Sequence, residues 1–282
     1  MRPKVSVVLT TYNRDSVLAS TIEGILGQTY EDFELIISDD CSSDSTQDIC
    51  RKYQECDRRI RYQRNERNLR MPGNLNAGIR VATGEYIANV HDGDIYHTTL
   101  LHKWVSALEA CPNAGFVFNA YRVLDADGKE RKIYREPLPP CSPGSVVLEE
   151  IFFQRWRFDS PVWGTVMARR SAYQKVGLFD ERFGFCSDVD MWMRIAECFH
   201  VAYINEPLIS LPSRETLPRK IAVEGRDLRR AAERMFWEAR MRHYAGKTLE
   251  KGLALATHLI HVAGNRLFFL ALQLRRRLLR KR

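Results

Sequence analysis

The stretch "VSVVLTT" at residues 5–11 decides the fold class, because its run of β-branched and apolar residues is typical of a strand buried on both faces. Residues 16–29 follow with the periodicity of a helix, and "FELIISDD" at residues 33–40 returns to a strand pattern. Strand, helix and strand joined by short connections predict a β-α-β unit, in which the two strands are parallel.

The same alternation continues along the chain. It predicts helices at residues 44–56, 72–83, 97–111 and 187–199, and strands at residues 60–64, 84–90, 115–125, 162–170 and 200–211. The proline- and glycine-rich residues 126–160 are predicted to form a loop-rich insertion. We therefore expect an α/β fold with a mostly parallel sheet flanked by helices.

Charge divides the chain into two regions. The net charge is +8, but residues 213–282 carry +12 and residues 1–212 carry −4. We interpret residues 1–212 as one α/β domain, with halves at 1–110 and 111–212, and residues 213–282 as a basic helical extension. The asymmetry indicates that the extension, rather than the domain, meets an anionic partner.

The cysteines and the N-terminus favour a cytoplasmic protein. The seven cysteines are odd in number and include no C-x-x-C pair, so we expect reduced, buried thiols rather than disulfides or a structural zinc site. The first apolar run is too short for the core of a signal peptide, and no uncharged run is long enough to span a membrane.

Polar side chains are concentrated where three predicted strands end, at residues 10–14, 38–41 and 91–94. Open parallel sheets bind ligands beyond the carboxyl ends of their strands. The sequence therefore predicts a ligand site at this edge of the sheet.

Two carboxylates, Asp92 and Asp94, flank Gly93 at one of these strand ends. Two neighbouring like charges are unfavourable without a cation, and Mg²⁺ or Mn²⁺ prefers such oxygen ligands together with substrate phosphates. The alternative is an ordinary Asp-Gly turn.

Two further acids have structural and functional interpretations. Asp40 either ends a strand in a turn or accepts a hydrogen bond from a nucleobase. Ser187 and Asp190 fit a capping box for the helix at residues 187–199. That box leaves Asp188 available to face a cleft.

The ordered set "VSVVLTTYNR", "IISDDCSSDST", "NLNAGIRVATGEYIANVHDGDIY", "GLFDER" and "SDVDMWMRIA" resembles the family 2 glycosyltransferases of the GT-A fold over roughly residues 4–211. The resemblance implies transfer of a sugar from a nucleotide-diphosphate sugar to a hydroxyl, usually with inversion at the anomeric carbon. The donor is expected to be a UDP-sugar, and the acceptor a saccharide or a lipid-linked saccharide of cell-surface glycan synthesis.

The resemblance also implies roles at the first two strand ends. Thr10, Thr11 and Tyr12 match the motif that lines the nucleoside, and Arg14 completes this nucleotide-binding stretch. Asp40 matches the acid that binds the base, typically uracil.

At the later motifs, Asp92 is expected near the ribose and Asp94 on a divalent metal, Mn²⁺ or Mg²⁺. Asp188 matches the general base. Ser187 stands where relatives often have Glu, and it is expected, with Trp163, in the acceptor or sugar pocket. A buried core position is the alternative for Trp163.

One more departure concerns the helix at residues 72–83. Its "NLN" at residues 74–76 replaces a common Ala-Arg-Asn, so an Arg that touches the diphosphate is missing, and Arg70 or Arg80 is the expected substitute.

The extension offers two interpretations. Apolar residues recur with helical period along residues 252–282, and the chain closes on an arginine-rich cluster. Such a helix suits an anionic membrane surface at the cytoplasmic face. Packing on the α/β domain, or on a second copy of the chain in a homodimer, is the alternative.

Two other function classes remain to be weighed. The acidic domain and the lack of a nucleic-acid-binding module argue against nucleic acid as a partner. An inactive sugar-nucleotide-binding or scaffold protein of the same fold is the rival, against which the retained Asp40, Asp92, Asp94 and Asp188 argue.

Overall fold

The fold was analysed in a computed structural model, which describes residues 3–148 and 164–212. Trp163, the start of the strand predicted at 162–170 and the whole basic extension lie outside the described residues. Predictions that concern them stay predictions.

The N-terminal half alternates strands and helices as the sequence predicts. Its elements are β1 (Val5–Thr11), α1 (Asp15–Leu26), β2 (Phe33–Asp39), α2 (Thr46–Cys56), β3 (Ile60–Arg64), α3 (Arg70–Val81) and β4 (Tyr86–His91). The four strands are parallel and lie in the order β3-β2-β1-β4. Every residue of β1 and β2 is buried, which explains their unbroken apolar runs.

The second half extends the same sheet. Its elements are β5 (Ile95–Tyr96), α4 (Leu100–Ala110), β6 (Ala114–Leu124), β7 (Glu130–Tyr134), β8 (Cys141–Ser142), β9 (Val166–Arg169), α5 (Arg170–Val176), a 3₁₀ segment (Glu181–Cys186), α6 (Ser187–Ala196) and β10 (His200–Leu211). The order continues β4-β9-β6-β10-β5, with β7 paired to β6 and β8 to β10. β6 and β10 are parallel, whereas β5, β7, β8 and β9 pair antiparallel with their neighbours.

Two local predictions need correction. The region predicted as a loop-rich insertion contains two strands, β7, which pairs with β6, and β8, which pairs with β10. The stretch at residues 170–176 was not predicted as a helix, yet it forms α5 directly after β9. All three elements are short, so their periodicity within the sequence is weak.

The register of the sheet brings the predicted strand ends together. Thr10 pairs with Ser38 on one side and with His91 on the other. Three polar clusters separated by up to about 80 residues in sequence therefore meet at one edge. No helix within residues 3–148 and 164–212 has the length and apolar character needed to cross a bilayer.

The cysteine prediction is wrong in two respects: the free thiols of Cys56 and Cys198 are exposed rather than buried, and two other cysteines are oxidised. Cys111 and Cys141 form a disulfide, with their Cα atoms 6.0 Å apart, because β8 pairs with β10 beside the end of α4. Cys50 and Cys186 are buried free thiols, as predicted, and burial raises the pKa of Cys50 to about 12.

Candidate active site

A cavity of about 500 Å³ opens at the carboxyl ends of β1, β2 and β4. Its lining combines the predicted nucleotide-binding residues with residues before and within α3: Thr10, Thr11, Tyr12, Arg14, Asp40, Asn68, Arg70, Met71, Asn74, His91 and Asp92. Open α/β sheets bind ligands at this position. Six residues expected at the nucleotide, Thr10 to Tyr12, Arg14, Asp40 and Asp92, are thus brought together.

Asp40 anchors the loop that leads into α3. Its Oδ1 accepts hydrogen bonds from Asn65 Nδ2 (3.1 Å) and the Leu69 amide (2.7 Å), and its Oδ2 accepts one from the Arg70 amide (2.8 Å). A carboxylate offers about four lone-pair positions. Three protein donors therefore leave Asp40 capacity for one more donor, such as a base N–H.

The loop held by Asp40 presents Arg70 to the cavity. Arg70 has φ +59°, a conformation that is uncommon for residues other than glycine. Arg70 belongs to the cavity lining, whereas Arg80 is exposed near the other end of α3 and outside the lining. Of the two arginines expected to substitute for the missing one, the structure favours Arg70.

Asn74, the first residue of the variant "NLN", is buried beneath the cavity. Its Oδ1 accepts from Ser38 Oγ (2.8 Å) and Asn65 Nδ2 (2.9 Å), and its Nδ2 donates to the Ser38 carbonyl (2.9 Å). This network joins the end of β2, the loop held by Asp40 and α3. Asn74 therefore positions the cavity wall, a role that the sequence did not reveal.

Asp92 is largely buried and forms an ion pair with Arg14, whose Nε lies 3.3 Å from Asp92 Oδ1. Burial raises the pKa of the Asp92 carboxyl, and the Thr11 hydroxyl, the Arg14 cation and the Tyr12 amide offset only part of that rise. An additional cation or hydrogen-bond donor in the cavity would therefore stabilise the carboxylate.

Gly93 fits its position for two independent reasons. Its φ is +86°, and a Cβ placed on it would lie 3.0 Å from Arg14 Nη2. Its amide donates to Thr21 Oγ1 at 3.0 Å. The turn is thus fixed to α1, and a side chain at this position would displace the ion pair between Arg14 and Asp92.

Asp94 lies beside a different segment from Asp92. Thr165 donates a hydrogen bond from Oγ1 to Asp94 Oδ2 at 3.4 Å, and Asp94 is not part of the cavity lining. The two carboxylates therefore have different neighbours, Arg14 for Asp92 and Thr165 for Asp94.

His91 and Asp188 meet around Gly164. A methyl group built on Gly164 would lie 2.9 Å from His91 Nε2 and 3.8 Å from Asp188 Oδ2. Tyr96 holds the backbone of His91, because its hydroxyl donates to the His91 carbonyl (2.7 Å) and accepts from the His91 amide (2.9 Å). The predicted general base therefore lies next to the edge of the sheet that forms the cavity.

Helix α6, which carries Asp188, is set in place by buried contacts. The Trp192 ring lies 5.1 Å from that of Phe116 and 5.7 Å from that of Phe179, edge-on in the second case. Arg194 donates to Asp190 Oδ2 at 2.7 Å and also to the Val176 and Leu178 carbonyls. These contacts tie the helix to β6 and to the segment after α5.

The predicted capping box is wrong. The N-cap of α6 is Cys186, without a side-chain cap, so Ser187 is the first helical residue and is buried. Asp190 is paired with Arg194 one turn later instead of with Ser187. Asp188 is half-buried in the first turn of α6.

His91 is the functional candidate to which sequence reasoning assigned no role. It is the first residue of "HDGD" and belongs to the same strand-end cluster as Asp92 and Asp94. The sequence feature that could have pointed to His91 is its position at the end of a buried strand. Its approach to the same glycine as Asp188 had no signal, because the two residues are 97 positions apart in the sequence.

The carboxylates at this edge of the sheet suit a divalent cation whose coordination shell is completed by a bound ligand. Carboxylates suit Mg²⁺ and Mn²⁺, and such ions commonly use few protein ligands together with substrate phosphates. At this edge of the sheet, no three acidic, histidine or cysteine side chains of the described residues have ligand atoms within 4.8 Å of one another.

Comparison with known proteins is consistent with this arrangement. The profile of glycosyl transferase family 2 matches residues 6–177. The Bacillus subtilis protein EpsE, a glycosyltransferase by name, is 33% identical over 198 residues, which cover 69% of this chain and 67% of EpsE.

Solved structures share the fold. The Staphylococcus aureus protein TarS (residues 1–349) in complex with UDP superposes with a TM-score of 0.61 at 18% identity, covering 74% of this chain and 60% of that one. The Pyrobaculum calidifontis mannosyltransferase PcManGT, in complex with GDP-Man and Mn²⁺, gives a TM-score of 0.55 at 19% identity, covering 78% and 59%. The chain thus spans about three-fifths of these structures. It has the GT-A fold, and it belongs to glycosyl transferase family 2.

Proposed function

We propose that this chain is a metal-dependent, inverting glycosyltransferase. It would move a sugar from a nucleotide-diphosphate sugar, a UDP-sugar in the first instance, to a hydroxyl of a saccharide or lipid-linked acceptor in cell-surface glycan synthesis. The observation that carries the proposal is the cavity at the carboxyl ends of β1, β2 and β4, with the Asp188 carboxylate nearby, around Gly164.

The nucleotide would occupy the cavity with its base near Asp40 and Tyr12. Tyr12 is 46% exposed, so its ring offers a face on which a base can stack. Asp40 retains capacity for one donor and would accept the base N–H, while Asp92 would receive a ribose hydroxyl. The UDP complex of TarS supports a uridine nucleotide as the first candidate.

The diphosphate would lie toward Arg14, Arg70 and Asp94. Asp94 would hold Mn²⁺ or Mg²⁺, and such an ion would offset the negative charge of the diphosphate leaving group. Arg14 and Arg70 would contribute positive charge from the protein itself. The Mn²⁺ complex of PcManGT supports the choice of metal.

Asp188 would act as the general base. It would take the proton of the acceptor hydroxyl while that oxygen forms its bond to the anomeric carbon. The bond from the anomeric carbon to the phosphate oxygen breaks in the same step, and its electron pair leaves with the diphosphate. One in-line displacement needs no enzyme nucleophile and inverts the anomeric centre.

A thermal-shift panel tests the proposal. UDP-, GDP- and TDP-sugars are added with Mn²⁺ or with a chelator, and a UDP-sugar is expected to raise the melting temperature only with the metal. Asp94→Asn should lose the metal-dependent part of the rise in melting temperature. Asp127→Asn, which changes an exposed residue in the turn after β6, should retain it. No shift with any nucleotide sugar would refute the proposal.

The acceptor side includes the basic extension. We propose that residues 252–282 bind the anionic cytoplasmic face of a membrane, where lipid-linked acceptors reside. Co-sedimentation with phosphatidylglycerol vesicles measures this binding. Truncation after Gly252 should abolish it, and equal sedimentation of the truncated protein would contradict the proposal.

A further inference from the structure

A second group of metal-ligating side chains lies at the opposite edge of the sheet from the cavity. It consists of Cys111 at the end of α4, Cys141 at the start of β8 and His200 at the start of β10. β6 and β10 begin at this edge, where His200 pairs with Ala114. The group is therefore independent of the proposed nucleotide site.

The geometry of the three side chains is compact. One ligand atom from each lies within 4.8 Å of the others, and Cys141 Sγ is 3.9 Å from His200 Nδ1. Within the part of the chain that the structure describes, this is the one group of three histidine, cysteine or acidic side chains that meets this criterion. Cys111 is buried, His200 is half-buried and Cys141 is exposed.

Backbone hydrogen bonds hold the three residues in place without the sulfur–sulfur bond. The His200 amide donates to the Asn113 carbonyl at 2.9 Å, and the Cys111 amide donates to the Ala107 carbonyl at 3.1 Å. Cys141 is paired with Ala202 in the antiparallel pairing of β8 with β10. Reduction of the disulfide would therefore leave the ligands assembled.

We propose that Cys111, Cys141 and His200 form a Zn²⁺ site when the disulfide is reduced. Two thiolates and one imidazole are ligands that Zn²⁺ prefers, and solvent reaches Cys141 to supply the fourth ligand. The sequence argued against such a site because no C-x-x-C pair is present. The tertiary structure supplies the ligands from three separate segments instead.

The chemistry balances with a dithiol reductant. The dithiol gives two electrons and two protons to the bond between Cys111 and Cys141 and becomes a disulfide itself. Zn²⁺ then displaces the two thiol protons, which pass to solvent. The oxidised and zinc-bound states exclude each other, because both use the same two sulfur atoms.

The site would join the end of α4 to β8 and β10, far from the carboxyl ends of β1, β2 and β4. Zn²⁺ should therefore raise the melting temperature of the reduced protein and leave its response to nucleotide sugars unchanged. This separation makes the zinc site and the proposed transferase activity testable independently of each other.

Cobalt titration of the full chain tests the proposal. After reduction and removal of the dithiol, Co²⁺ should produce a thiolate-to-metal charge-transfer band that saturates at one equivalent and is removed by Zn²⁺. The oxidised protein should show no band. A reduced wild type without the band, or with it only at large excess of metal, would overturn the proposal.

Variants identify the ligands. Cys111→Ser and Cys141→Ser should lose the band, and His200→Ala should weaken Co²⁺ binding at least tenfold. Cys56→Ser, which changes an exposed cysteine at the end of α2, is the matched control and should bind as wild type does. Because Cys111 is buried, circular dichroism is used to check that the Cys111→Ser variant folds. The exposed Cys141→Ser decides the question, since an unchanged band there would refute the site.

Discussion

Arg14 Nε and Asp92 Oδ1 lie 3.3 Å apart in the wall of the cavity and join the loop after β1 to the loop after β4. Arg14 is more exposed than its partner, with 38% of its side chain accessible against 16% for Asp92. The pair therefore places a positive charge at the cavity surface and a carboxylate behind it. A diphosphate would meet the cation first.

Arg14→Gln is expected to weaken binding of a nucleoside diphosphate roughly tenfold, or about 1.4 kcal/mol. The loss of the cation removes attraction for phosphate and leaves Asp92 without its partner. Titration calorimetry with UDP and with uridine measures the effect, which should be larger for UDP because uridine lacks the phosphates. Arg51→Gln, on the exposed face of α2, is the control. An equal loss for uridine would show that the variant disturbs the cavity as a whole.

Asp188→Asn is expected to lower transfer at least 100-fold while donor binding stays within a few-fold of wild type. The amide keeps the shape but takes no proton, and general-base catalysis typically contributes a factor of 10² to 10⁴. Initial rates with the donor found in the thermal-shift panel provide the measurement.

Asp48→Asn is the matched control for that variant, because Asp48 is an exposed acid in the first turn of α2. It should transfer normally. Normal turnover of Asp188→Asn would exclude Asp188 as the base, whereas joint loss of turnover and nucleotide binding would indicate a structural role.

Gly164→Ala is expected to impair transfer through His91. The new methyl group would lie 2.9 Å from His91 Nε2, so the imidazole has to move. In a His91→Ala background, the methyl group added by Gly164→Ala no longer has an imidazole to displace. A double-mutant cycle of transfer rates should therefore show that Gly164→Ala costs much less in the second background. If the losses in transfer rate from the two substitutions were additive, the expected clash between the methyl group and the His91 imidazole would be contradicted.

Asp40→Asn is expected to lower the free energy of unfolding by about 1–3 kcal/mol, because the new NH2 group replaces one of the two acceptor oxygens and leaves either the Leu69 or the Arg70 amide facing a donor. Nucleotide affinity should fall as well, since Arg70 is placed by this loop. Urea denaturation and UDP titration measure the two effects. Loss of affinity without any loss of stability would assign Asp40 to base recognition alone.

Glu34 couples stability to pH, away from the cavity. Burial acts to raise the pKa of Glu34, but hydrogen bonds from Ser6, Thr83 and Arg61 outweigh it and hold the pKa below its usual value of 4.5. The carboxylate therefore stabilises the fold above about pH 4.5. This contribution is lost as the pH falls through the lowered pKa.

Glu34→Gln should thus lower the free energy of unfolding by about 1–3 kcal/mol at pH 7, and the difference from wild type should shrink below pH 4.5. Urea denaturation across this pH range provides the measurement. Glu55→Gln, an exposed substitution on α2, should show no such dependence. A difference that stays constant with pH would contradict the role of the charge.

Sequence patterns predicted the longer strands and most helices because these depend on local periodicity. The runs at β1 and β2 are apolar throughout since both faces of those strands are covered, and the helices between them repeat every three to four residues. The elements α5, β5, β7 and β8 were missed because seven residues or fewer hold too little periodic signal.

The cavity was predictable to a similar degree. Parallel strands end at the same edge of a sheet, so Thr10, Asp40 and Asp92 were expected to meet once their strands were recognised. The family motifs added Asp94 and Asp188 as candidates.

Other relationships arise only when distant segments pack. His91 and Asp188 approach the same glycine because β4, β9 and α6 assemble around it. Two of the donors to Asp40 are backbone amides of a loop about 30 residues away, and the three ligands of the proposed zinc site come from three separate elements. The sequence by itself therefore determined which elements form and which chemical groups stand at the strand ends. Only the tertiary structure decided which of those groups touch, because contacts between residues far apart in the chain leave no local pattern.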